Sequence, residues 1–113
     1  MKSDMPDNRL PPVSDRLAAA YDPARFRELG HRAVDLLADH LEAAVARESE
    51  RVLPIDAPEA AHAYWEKRPA TDTLPLLADF VERSNRLHDP RYMGHQVAVT
   101  MVDAAIAGLA DEV

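Results

Sequence analysis

Between Pro23 and Pro54 the sequence contains no proline, and over most of that span apolar residues return every three or four positions. That period marks an α-helix with one apolar stripe. Phe26, Leu29, Ala33, Leu37, Leu41, Ala44 and Val45 form the stripe, with Val34, Leu36 and His40 beside it. Arg25, Arg32, Asp35, Asp39 and Glu42 fall on the opposite face. Asp22 supplies a side chain able to accept at an N-cap, and Pro23 then sits where a missing N–H costs nothing. Tyr21 and Phe26 have the spacing of a hydrophobic staple. The pattern predicts a helix over about 23–47.

Elsewhere, up to Pro90, prolines cut the chain into short pieces. Residues 1–20 are polar and read as a flexible N-terminal arm. "RVLPIDAPEA" reads as an extended strap, with Val52, Leu53 and Ile55 available to lie on another surface. Pro58 opens a weak helical turn through "EAAHAYWEKR", closed by Pro69, in which Trp65 is expected as the largest core side chain. "TDTLPLLADFVERSNRL" predicts a second main helix, capped by Asp72 or Thr73, buried along Leu76, Leu77, Phe80, Val81 and Leu87, and stopping near His88. From Thr100 a third helix is expected, Thr100 and Asp103 having the spacing of a capping box. Its residues Ala104, Ala105, Ile106, Gly108 and Leu109 form a small apolar surface. The expectation is an all-α chain of three main helices joined by proline-rich straps: an arm at 1–20, a helical domain at 21–99, and the start of a further helix at 100–113. The sequence stops at Val113 without a helix stop signal, and it is read as truncated.

Apolar residues make up 47% of the chain, but much of that share is alanine; two Phe, one Trp and three Tyr leave few large side chains to bury. A thin core of this kind expects a partner surface to complete it. The formal charge of −7 and the scatter of arginines among carboxylates argue against a nucleic-acid partner. Cysteine is absent, which removes disulfides and thiolate chemistry. The chain shows neither a membrane-spanning apolar run nor a signal-peptide pattern, so a cytoplasmic location is expected.

The residues do not assemble a catalyst by themselves. His31, His40, His62, His88 and His95 have no metal-motif spacing. Ser3, Ser14, Ser49 and Ser84 sit on no nucleophile pattern. The two lysines, Lys2 and Lys67, lack an apolar setting that would lower an amine's pKa. The exception in density of polar groups is "HDPRYMGHQVAV", from His88 to Val99. Pro90 stiffens it, Gly94 permits a turn, and His95 and Gln96 offer donors and acceptors beside Val97, Ala98 and Val99. Such a loop suits a polar small molecule held against an apolar wall, or else ordinary helix capping.

"RFRELGHRAVDLLADHLEAA", the proline-rich strap, "LLADFVERSNRLHDPRYMGHQVAV" and "DAAIAGLADE", in that order, resemble the N-terminal region of the group II pyridoxal-phosphate-dependent amino acid decarboxylases. The resemblance covers about residues 22–113, and "HDPRYMGHQ" is its most specific part. It implies that the chain is the N-terminal flap of a larger fold-type I enzyme, a homodimeric carbon–carbon lyase that removes an α-carboxylate as CO₂. His88 and Pro90 match the start of the family's "H-x-P" connection. His95, Gln96, Val97 and Ala98 fall where the family places substrate-side-chain contacts, and the His–Gln pair implies a polar or acidic amino acid. Val97 and Thr100 replace prolines often found nearby. The resemblance implies pyridoxal 5′-phosphate in the parent enzyme, with no cofactor and no catalytic residue on this segment. The alternative is a free-standing helical interaction module without activity.

Overall fold

The computed structural model describes residues 11–68, 72–94 and 99–113. These residues form five helices and, among them, no strand: α1 (Asp15–Ala20), α2 (Pro23–Val45), α3 (Pro58–Lys67), α4 (Thr73–Glu82) and α5 (Val102–Asp111). The all-α expectation holds, with five helices in place of three. Residues 15–20, expected in the arm, form the short α1, started by Ser14, whose Oγ accepts from the Leu17 N–H at 3.3 Å.

The start of α2 follows the sequence. Asp22 is its N-cap and accepts from the Ala24 N–H at 3.0 Å, with Pro23 in the first turn. Tyr21 and Phe26 both remain exposed, so the expected staple buries neither. The end of α2 is sharper than expected. Ala46 is the C-cap, and Arg47 turns into the left-handed region at φ 60°. The Arg47 N–H then bonds the Ala44 carbonyl at 3.1 Å, and the Glu48 N–H bonds the Ala43 carbonyl at 3.0 Å. This pair of bonds is a Schellman close, made here without glycine.

The strap follows α2 and is held by its backbone. The Arg86 N–H donates to the Val52 carbonyl at 2.9 Å, and Arg51 Nη2 donates to the Ile55 carbonyl at 2.7 Å. Pro58 opens α3 as expected, and α3 completes a full helix through Lys67. Trp65 does not become the core: it is 38% exposed and meets Tyr64 edge-to-face at 5.2 Å.

The second main helix ends at Glu82, well short of His88. Ser84 Oγ donates to the Phe80 carbonyl at 2.6 Å, and Arg86 Nη1 donates to the Val81 and Ser84 carbonyls. Side chains thus take over the carbonyls that further helix would have used, which is the competition Ser is known for. Asp72 stands at the N-cap of α4 without a side-chain cap bond. α5 is also displaced from its expected cap: Met101, not Thr100, is the N-cap.

Packing is sparse. α2 lies against α4. Among the described apolar residues only Ala44 and Val81 are buried. Phe26, Leu37, Val45, Leu76, Phe80 and Leu87 all remain exposed, although the sequence assigns them to buried stripes. The chain exposes 10165 Å², against about 6,200 Å² for a compact protein of its mass. No helix among the described residues is long and apolar enough to cross a membrane.

Candidate functional site

Three polar assemblies lie at the joints between the helices. The first ties α3 to α4. Asp79 of α4 accepts from the Tyr64 hydroxyl and pairs with Arg68 Nη1 at 2.9 Å and Arg83 Nε at 3.7 Å. Arg83 continues to Asp56 at 3.0 Å and lays its guanidinium 3.3 Å from the Tyr64 ring centre. Arg68 also reaches the Pro75 carbonyl at 3.0 Å, and its buried Nε has no hydrogen bond among the described residues.

The second assembly organises the segment around His88. Asp89 has a fully buried carboxylate and receives Arg91 three times: from the backbone N–H at 2.8 Å, from Nε at 3.0 Å and from Nη2 at 2.8 Å. Arg91 Nη2 also donates to the Ser49 carbonyl at 2.7 Å, which fastens the turn to the end of α2. These Arg91 hydrogen bonds hold the Asp89 carboxyl down at about 2, against the opposing effect of desolvation. His88 Nε2 lies 2.9 Å from the Thr100 carbonyl, in the geometry of a bond donated by the ring. That contact joins the two sides of residues 95–98. Gly94 sits so close under the Tyr92 ring that a β-carbon there would collide with it. A shallow hollow of about 390 Å³ opens here, between Val45, Leu87, His88, Tyr92 and Val99.

The third is a wider cleft of about 980 Å³ between α2, the strap and the end of α4. Arg86 forms one side; its side chain is 8% exposed and donates from Nε to Ser49 Oγ at 3.2 Å. His40 faces it from α2. Burial first, then the Arg86 and His88 charges, push the His40 pKa below its ordinary value, with Glu82 opposing.

His88 and Pro90 stand in the second assembly, on the rim of the hollow. His95, Gln96, Val97 and Ala98, the candidate substrate contacts, lie outside the described residues. Sequence reasoning passed over Arg86, Asp89, Arg91 and Ser49. The sequence reading carries the second main helix to near His88 and gives Arg86 no part in its buried stripe; with α4 ending at Glu82, Arg86 is buried. Among the described residues no three His, Asp or Glu side chains converge on a possible metal position.

Comparison with known proteins gives no match: no family model, no curated protein and no solved structure resembles the chain closely enough.

Proposed function

We propose that this chain is the N-terminal helical flap of a pyridoxal-phosphate-dependent L-amino acid decarboxylase. In this reading the parent enzyme is a homodimer, and the flap supplies dimer contacts and one edge of the substrate pocket. The observation that supports it is the unfilled apolar surface. Helices with apolar stripes are present, yet the chain itself buries only Ala44 and Val81 among the described apolar residues. Surface of this extent belongs to an interface more often than to a finished monomer. The motif order from Phe26 to Glu112 supports this family by resemblance, and in this reading His95, Gln96, Val97 and Ala98 stand at the substrate side chain. A polar or acidic amino acid suits that pair.

The cofactor does not fit the residues of this chain. A Schiff base needs a lysine, and the two present are Lys2, outside the described residues, and Lys67, exposed at the end of α3. No chemical step is therefore derived through pyridoxal phosphate, which in this reading is held by the rest of the parent enzyme.

Two measurements test the reading. Sedimentation equilibrium is expected to show concentration-dependent self-association; a monomer at every concentration, with a compact scattering radius near 13 Å, would refute the open flap. The reading frame after the Val113 codon is expected to continue into a segment with a His–Lys pair. An immediate stop would remove the decarboxylase and favour the interaction module.

A further inference from the structure

Helix α3 has little of its own to hold it. It is 10 residues long, its N-cap Ala57 makes no side-chain cap bond, and none of its residues is buried. An isolated helix shorter than about 12 residues is marginal in water, so its stability comes from what it touches. Among the described residues, the bonds that tie it to α4 are polar or charged. The Tyr64 hydroxyl donates to the Asp79 carboxylate. Arg68, at the C-cap, pairs with the same carboxylate at 2.9 Å and reaches the Pro75 carbonyl at 3.0 Å. From the end of α4, Arg83 lays its guanidinium 3.3 Å from the Tyr64 ring centre and pairs with Asp56, just before α3, at 3.0 Å.

The contact of α2 with α4 is of another kind, since each helix contributes a buried apolar residue, Ala44 and Val81. Salt separates the two joints. The side chains of Arg68, Asp79, Arg83 and Asp56 are 20%, 19%, 32% and 45% exposed, so dissolved ions reach these charges and screen them. Apolar burial is not weakened by that screening. We propose that α3 is a latch held by charge, which rising ionic strength opens from α4 as a unit while α2 and α4 stay together. Asp79 is its catch, because it takes both the Tyr64 hydroxyl and Arg68. Opening frees Asp79 and Arg83 along one edge of α4 and releases Asp56 at the end of the strap. The strap keeps its own bond, from the Arg86 N–H to the Val52 carbonyl. This device does not rest on the decarboxylase reading.

The test is amide hydrogen exchange of the whole chain, read by nuclear magnetic resonance at fixed pH and temperature. Sodium chloride is raised from about 0.01 M to about 1 M, which shortens the screening length from roughly 30 Å to about 3 Å. The α3 amides from His62 to Lys67 are expected to exchange at least about tenfold faster at the high end, while those from Asp39 to Val45 on α2 change by less than about twofold. Asp79→Asn is expected to speed the α3 amides at low salt and to remove most of their salt response. Tyr64→Phe, which keeps every charge, is expected to speed them and to leave the salt response in place; it decides the matter where Asp79→Asn loosens α2 as well. The proposal is overturned if α3 is unprotected at low salt, if its exchange ignores salt, or if α2 opens with it in the wild type. It is equally overturned if Tyr64→Phe leaves α3 unchanged, or if Asp79→Asn with α2 intact keeps the full salt response.

Discussion

Arg47 is the one non-glycine residue with positive φ among the described residues, and it closes the longest helix of the chain. An L-residue held in the left-handed region costs about 1–2 kcal/mol, because its β-carbon crowds the following carbonyl. Glycine at this position removes that crowding but has more freedom to lose on folding, which returns about 0.5–1 kcal/mol. Arg47→Gly is therefore expected to stabilise the chain by about 0.5–1 kcal/mol, since the two Schellman bonds from residues 47 and 48 stay in place. Urea unfolding followed by far-ultraviolet circular dichroism measures it, as a higher midpoint at unchanged slope. Arg47→Ala is the control. It removes the same charged side chain but keeps the β-carbon, so it is expected to gain nothing. If alanine stabilises as much as glycine, the gain comes from losing the charge, and the strain argument is wrong. If glycine destabilises, the geometry of the helix end is wrong.

Asp89 titrates at about 2 in the folded chain and near 3.8 when unfolded, so its contribution is complete above the unfolded value and disappears as pH falls from there through about 2. Urea midpoints taken across that window are expected to fall with pH in the wild type and to flatten in Asp89→Asn; identical acid limbs would refute the Arg91 clasp. At the α3–α4 joint, Tyr64→Phe is expected to cost about 1 kcal/mol, and Asp79→Ala about 2–3 kcal/mol because it leaves Arg68 and Arg83 without their shared carboxylate. Equal losses in the two variants would show that Asp79 is not the centre of that joint. Mixing the chain with pyridoxal phosphate is expected to give no internal-aldimine absorbance that survives dialysis, and a stable yellow complex would contradict the misfit of Lys67.

What could be read from the sequence was local. The start of α2 at Asp22 and Pro23, and of α3 at Pro58, are written in single residues whose chemistry acts over a few bonds. Stops were harder to read. Nothing in "VARESE" announces that Arg47 will take a glycine's conformation, and nothing in "FVERSNRL" shows that Ser84 and Arg86 will capture the carbonyls of Phe80 and Val81. The buried Asp89 carboxylate and its Arg91 partner escaped for the same reason. Two polar residues either side of Pro90, after a helix, look solvated until a distant Ser49 carbonyl supplies the anchor.

The α2 stripe shows how a correct period can assign the wrong face. At about 100° per residue, Leu36, His40, Ala43 and Ala44 cluster on one side, and Val34, Leu37 and Val45 are centred roughly a third of a turn away. Of the first group, Ala44 is buried and the others line the cleft facing the strap and α4; the second group is exposed. Summed over both sides, the apolar arc is wider than one neighbouring helix covers. The side bearing His40 is turned toward the chain's own strap and α4. The side bearing Leu37 and Val45, together with Phe80 on α4, meets nothing among the described residues that buries it. Among the described residues, a helix with two apolar sides has one neighbouring helix packed closely on it, α4, which is why the association experiment bears more directly on the proposed role than any measurement at the loop.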